Sequence, residues 1–175
     1  MMRILFWIII MTIFSIVEAS FFRSLPGWFT VTPLILGICV YFVQHQGIQE
    51  CAWWLPVHGI FLDYLSLGTT MLESLPYMVS ALFLLFSARH LFSNRSFYGL
   101  LSCGISGFVG LVVTQIFLNM FRIFSGNAIQ WHVFAEEVMI RLCLLLLVIS
   151  IMYPFAKYIR LFLLTFSLFP DTRKP

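Results

Sequence analysis

The chain has 175 residues, of which 61% are hydrophobic and only 10% are charged, whereas soluble domains have roughly 45–50% apolar and about 25% charged residues. The mean hydropathy is +1.00, and this length has room for one compact transmembrane domain and no additional soluble domain. The net charge is only +3, and no cluster of lysines and arginines indicates nucleic-acid binding. We therefore expect an all-α integral membrane protein with one domain over residues 1–175.

Apolar runs and turn residues predict about six transmembrane helices in one compact bundle. The first run ends near Glu18, which we place close to a membrane surface, and we favour retention of this run over signal-peptide cleavage because the downstream chain is also apolar. The third run contains Pro56, His58 and Asp63 and is short, since about 20 residues usually span a bilayer. The predicted helices cover residues 4–22, 28–43, 51–67, 71–87, 97–121 and 135–156, with an interfacial helix at 157–169.

The distribution of basic residues predicts the orientation of the bundle. With the N-terminus inside, seven lysines or arginines fall on the inner face and two fall outside, which is the bias of the positive-inside rule. Both termini are then cytoplasmic. We expect Arg89 and Arg95 to lie beside anionic lipid or a cytoplasmic partner. The inner residues are Arg3, Arg89, Arg95, Lys157, Arg160, Arg173 and Lys174, and the outer ones are Arg23 and Arg122.

Asp63 is the most unusual residue, because a charged side chain near the bilayer centre costs about 2.5–3.5 kcal/mol. No second acid or histidine lies at a spacing that suggests catalysis. We interpret Asp63 as a buried anchor that fixes a tight turn or meets Arg141, the other deeply placed charge. Glu73, just after the turn, competes for the same arginine. His58 is interpreted as a packing or loop-facing histidine rather than a proton relay.

Small residues on the fifth predicted helix indicate close helix packing. Gly104, Gly107 and Gly110 recur every three residues, and Ser102 and Ser106 form a small-xxx-small pair. Such residues let a neighbouring backbone approach.

One pattern suggests enzymatic chemistry. Glu136, Glu137 and Arg141 fit the EExxxR signature of CAAX-type intramembrane proteases, a resemblance that implies water activation by the glutamates and histidines from later helices. No histidine follows His132. The structural interpretation places both glutamates near a helix N-terminus, where the dipole favours them, and turns Arg141 inward. The four cysteines are scattered without metal-ligand spacing, so we predict no metal site. We also predict no cofactor and no enzymatic activity.

The region around Asp63 resembles a known family. Gly59-x-x-x-Asp63-x-x-Ser66 is followed by a turn at Gly68, an apolar helix and a basic loop, and Pro33 opens the second predicted helix. The chain resembles the MreD family of bacterial rod shape-determining membrane proteins in this order of residues, in its length and in its number of predicted spans. The resemblance covers roughly residues 30 to 120.

The resemblance implies a multi-pass protein of the bacterial inner membrane that takes part in cell-wall elongation. Such a protein binds MreC, and through MreC it is linked to a peptidoglycan synthase pair, RodA with a class B penicillin-binding protein, and indirectly to MreB. Membrane lipids are the other expected partners. The resemblance also implies a fold like that of the substrate-binding subunits of energy-coupling-factor vitamin transporters. A vitamin-transporter subunit is therefore the first alternative function, and a CAAX-type protease is the second.

Overall fold

The structure, a computed structural model, describes residues 2–21, 32–65, 72–91, 96–124, 130–155 and 158. These residues are almost entirely helical, and no strand occurs among them. They contain six α-helices: α1 (Met2–Ile16), α2 (Leu34–Val40), α3 (Trp54–Leu65), α4 (Ser74–Phe86), α5 (Phe97–Phe124) and α6 (Trp131–Met152). The prediction of an all-helical fold is confirmed.

Three of these helices do not end where their α-helical hydrogen bonding ends. They continue into π-helical turns, and a 3-10 turn leads into α3. The π-helical turns are Val17–Phe21 after α1, Tyr41–Gln46 after α2 and Ser87–Leu91 after α4, and the 3-10 turn is Gln49–Trp53. A π-turn changes which residues share a helix face, so the faces near these helix ends differ from those of a regular α-helix.

The observed bounds differ from the predicted ones at several helices. Helix α2 begins at Leu34 rather than 28, the helix that starts with α4 continues to Leu91 rather than 87, and α5 ends at Phe124 rather than 121. The helix that starts with α2 continues to Gln46, three residues beyond the predicted end at 43. Helix α6 begins at Trp131, before the predicted start at 135, because Gln130 already has the non-helical backbone that precedes a helix. Trp131 and Phe134 then pack edge to face one turn apart. The expected interfacial helix at 157–169 lies outside the described residues except for Tyr158.

Helix α2 forms the centre of the bundle. Every residue from Ile35 to Val43 is buried, and α2 packs against α1, α3, α5 and α6. A Cβ atom on Gly37 would lie 2.7 Å from Cγ1 of Val148, so the missing side chain lets α6 approach closely. The hydroxyl of Tyr41 accepts a hydrogen bond of 3.0 Å from Nε2 of Gln46. The hydrophobic core is therefore built around α2.

Helix α4 packs between α3 and α5. The hydroxyl of Ser80 donates a 2.8 Å hydrogen bond to the carbonyl oxygen of Gly107, and a Cβ on Gly110 would lie 2.9 Å from the ring of Phe83. Gly104 instead faces α6 and α2. The small residues of α5 thus allow close packing against three neighbouring helices, α2, α4 and α6.

The outer faces of the helices are largely apolar and exposed, as at Ile60, Phe117 and Met139. Among the described residues, the segment Phe97–Phe121 alone is both long and apolar enough to cross a membrane, judged by length and composition. Ile9–Phe21 and Leu34–Gln46 are shorter apolar helices.

Candidate functional site: polar contacts within the bundle

The carboxylate of Asp63 joins the end of α3 to the start of α4. It accepts hydrogen bonds from the backbone N–H groups of Glu73 at 2.5 Å and Ser74 at 3.1 Å. The first N–H groups of a helix have no partner within the helix, and a side chain at the residue before the helix usually caps them. Glu73 occupies that position but makes no capping bond with its side chain. Asp63 therefore caps α4 from the neighbouring helix.

Gly59 brings the backbones of α3 and α4 into contact at the same point. It lies four residues before Asp63, so both residues face α4. A Cβ on Gly59 would lie 2.6 Å from Cα of Ser74 and 3.0 Å from the carbonyl oxygen of Glu73. The two residues hold one junction: glycine allows the approach and aspartate bonds across it. Ser66 and Gly68 of the same motif lie outside the described residues.

Arg141 does not contact Asp63 or Glu73. Its Nη2 donates a hydrogen bond of 2.5 Å to Oε1 of Glu137, one turn earlier on α6. The physical reason is the packing order, because α6 packs against α2 and α5 whereas Asp63 faces α4. The Nε atom of Arg141 is buried and has no hydrogen-bond partner among the described residues. Glu136, the other glutamate of the EExxxR pattern, is exposed.

A second polar contact lies deep in the bundle and joins three helices. Oε2 of Glu18 accepts a 2.6 Å hydrogen bond from the backbone N–H of Ile35 at the start of α2. Its other oxygen, Oε1, is 3.1 Å from Nε2 of His58 on α3. Glu18 is 5% exposed and His58 is 1% exposed. Glu18 is therefore buried inside the bundle, and His58 is a packing residue of the core rather than a loop-facing one.

The surroundings of His58 explain how the buried pair is held. The ring of Tyr77 on α4 meets the imidazole edge to face, with centroids 5.2 Å apart. Nδ1 of His58 is buried without a hydrogen-bond partner among the described residues. Burying a carboxylate is costly unless its oxygens have hydrogen-bond partners, and both oxygens of Glu18 have one.

The comparisons with known proteins found nothing similar. No protein-family model, no curated protein and no solved structure matches the chain.

The other predicted residues lie at helix contacts or at one end of the bundle. Ser106 hydrogen-bonds to Ser87 across the contact between α5 and α4, and Ser102 is half-buried. Arg89 donates two hydrogen bonds to Oε1 of Gln49, from Nε at 3.0 Å and from Nη2 at 2.5 Å. Arg95 lies outside the described residues.

Sequence reasoning did not connect the two residues of the deep polar contact. Glu18 and His58 are 40 residues apart, and no local spacing connects them. The usable signal was that Glu18 is the one acid of its apolar segment and that His58 can donate a hydrogen bond to a carboxylate. In the part of the chain that the structure describes, no three His, Cys, Asp or Glu side chains are grouped so as to hold a metal ion.

Proposed function

We propose that this chain is a non-enzymatic, multi-pass component of the bacterial inner membrane that acts in cell-wall elongation. It binds an MreC-like protein and links it to the synthase pair of RodA and a class B penicillin-binding protein, and indirectly to MreB. The observation that carries the proposal is the junction of α3 and α4. Gly59 and Asp63, on which the resemblance to MreD depends, both act there on the backbone of Glu73 and Ser74. Their role in joining two helices supports a scaffold.

The proposed topology has six membrane-crossing helices and two cytoplasmic termini. The 28 residues of α5 and the 22 residues of α6 correspond to about 42 Å and about 33 Å of helix, against a hydrocarbon thickness of about 30 Å. The exposed apolar residues on the outer helix faces support contact with lipid. The positive-inside bias supports the orientation.

Helix α6 is the surface that we assign to the MreC-like partner. Only Leu145 and Ile149 of this helix are fully buried, whereas Met139 and Leu147 are exposed. The side chain of Arg141 is 20% exposed, which supports a partner that supplies a hydrogen-bond acceptor at this depth. A transmembrane helix of the partner, packed along α6, meets both requirements.

The test is deletion of the coding gene in its own bacterium, followed by complementation with a tagged chain. We expect rods to become round on deletion, and we expect the wild-type chain to restore rods and to co-purify with the MreC-like protein from detergent-solubilised membranes. Asp63→Ala is expected to fail in both assays. Normal rods after deletion would contradict the proposal.

Two other results of the same purification would assign a different function. Retention of a vitamin by the purified chain would indicate a vitamin-transporter subunit. Cleavage of a membrane peptide that is lost in Glu136→Ala would indicate a CAAX-type protease. Each result would replace the scaffold proposal.

A further inference from the structure

A cavity of about 440 Å³ opens between α4 and the 3-10 turn that precedes α3. It lies at the end of the bundle that the proposed topology places at the cytoplasmic surface. Its volume is within the range of small-molecule sites, about 300–1,000 Å³. The lining residues are Gln49, Glu50, Trp53, Leu82, Leu85 and Arg89.

Two oppositely charged side chains, Arg89 and Glu50, line the cavity and do not pair with each other. Arg89 bonds through Nε and Nη2 to the side-chain oxygen of Gln49, and a guanidinium has five N–H donors, so three N–H donors remain. Glu50 makes no hydrogen bond or ion pair to any of the residues that the structure describes. One wall therefore offers hydrogen-bond donors with a positive charge, and another offers a carboxylate.

The remaining lining is apolar and open. Trp53 is 58% exposed and Leu82 is 48% exposed, and Leu85 is half-buried. Tryptophan is enriched at the level of lipid headgroups, where one side of the ring is apolar and the other is wet. A ligand for this cavity thus has both charges close together and a hydrocarbon portion beside them.

We propose that the cavity binds the headgroup of a phospholipid that carries a primary ammonium group. The phosphate accepts hydrogen bonds from Arg89, the ammonium donates to Glu50, and the acyl chains lie along Trp53, Leu82 and Leu85. This inference rests on the membrane location proposed above. Gln49 holds the guanidinium in place by its two bonds, which lowers the entropy lost on binding.

Glu50 is the residue that selects among headgroups. A choline headgroup has the same charges but no N–H, so it cannot donate a hydrogen bond to the carboxylate. A glycerol headgroup leaves the lipid with a net negative charge, which the carboxylate of Glu50 repels. Both lipids keep the phosphate that Arg89 binds, so discrimination among the three headgroups depends on Glu50.

The test begins with fractionation of the full chain, which must be recovered from membranes for the proposed location to stand. The detergent-purified protein is then given an equimolar mixture of phospholipids with identical acyl chains and ethanolamine, choline or glycerol headgroups, and the retained lipid is measured by native mass spectrometry. We expect the ethanolamine lipid to be retained at least fivefold over the other two. Recovery from membranes with equal retention of all three lipids would overturn the lipid site alone.

Two variants assign the roles of the charged residues. Glu50→Gln is expected to abolish the preference for ethanolamine, and Arg89→Ala is expected to reduce retention of all three lipids. Glu136→Gln removes an exposed carboxylate elsewhere and serves as the matched control, with the preference retained. Size-exclusion profiles check folding, and all of the substituted side chains are exposed. An unchanged preference in Glu50→Gln would contradict the proposal.

A competition experiment separates a lipid from a water-soluble ligand with the same headgroup. Glycerophosphoethanolamine, which lacks acyl chains, is added at the same concentration as the ethanolamine phospholipid. Unchanged retention of the phospholipid is expected, because the apolar wall contributes only to lipid binding. Displacement of the phospholipid by the soluble molecule would assign the cavity to a soluble ligand and overturn the lipid assignment.

Discussion

Helices α1 to α4 and helix α6 both carry charged side chains in apolar segments, but they satisfy these charges differently. Glu18 and Asp63 bond to atoms of other helices. Arg141 and Glu137 bond to each other within one helix. A contact between helices fixes their relative position, whereas a pair one turn apart on a single helix stabilises it by only about 0.2–0.5 kcal/mol. The first group therefore helps to specify the fold, whereas the position of α6 depends on its apolar packing against α2 and α5.

The burial of the two regions differs in the same direction. Helix α3 buries four of its 12 residues, Leu55, His58, Gly59 and Leu62, but α6 buries fully only Leu145 and Ile149 in 22 residues. Substitutions in the first four helices are therefore expected to affect stability, and substitutions on α6 are expected to affect association with a partner.

The largest loss of stability is expected for Glu18→Ala. It leaves the Ile35 N–H and Nε2 of His58 buried without their acceptor, and each unsatisfied buried donor costs about 1–3 kcal/mol. Thermal unfolding in detergent should show the loss, and the double variant Glu18→Ala with His58→Ala should lose less than the sum of the single variants. Strict additivity would mean that the pair contributes nothing to the contact between helices.

Gly59→Ala is expected to cost about 3 kcal/mol, because the new Cβ meets the backbone of α4 at 2.6 Å and backbone atoms cannot rotate away. Gly107→Ala is the matched control, since its Cβ would meet its nearest neighbours at an ordinary 3.6 Å. We expect the control to unfold within a few degrees of the wild type. Equal losses in the two variants would show that α3 and α4 are not in close contact.

Asp63→Ala is expected to cost about 2 kcal/mol, because two backbone N–H groups at the start of α4 lose their acceptor. Asp63→Asn keeps one oxygen acceptor and should fall between Asp63→Ala and the wild type in apparent melting temperature. Asparagine as damaging as alanine would indicate that the charge, rather than hydrogen-bond capacity, holds the junction.

The smallest effect on stability, about 0.5 kcal/mol, is expected for Arg141→Ala, since it removes an ion pair one turn apart on α6. Its effect on partner binding should be much larger, and co-purification of the MreC-like protein should fall severalfold at equal expression. A large loss of stability with intact co-purification would reverse the distinction between α6 and the other helices.

Local features of the sequence predicted much of this structure. Apolar runs predicted the helices, and three-residue spacing on α5 predicted its packing glycines. The absence of a second catalytic group near Asp63 favoured an anchoring role, and the structure places Asp63 at a helix junction. These features depend on residues that are close in the chain.

The features that sequence reasoning missed depend on distant residues or on irregular helices. Glu18 meets His58 only because α1 and α3 both pack near the start of α2. The π-helical turn at Val17–Phe21 also places Glu18, and regular periodicity cannot anticipate that register. A contact between Asp63 and Arg141 was one of two alternatives for Asp63, and it depended on both charges lying deep in the chain's apolar segments; depth does not determine which helices are neighbours.

The burial of α2 has a consequence for biogenesis. Leu34–Gln46 has 13 helical residues, which rise at most about 20 Å, and this length falls short of the hydrocarbon layer of about 30 Å. In a membrane, α2 therefore depends on later helices to enclose it, although it is synthesised second. Val148 of α6 packs against Gly37, so enclosure is complete only after α6 has left the ribosome.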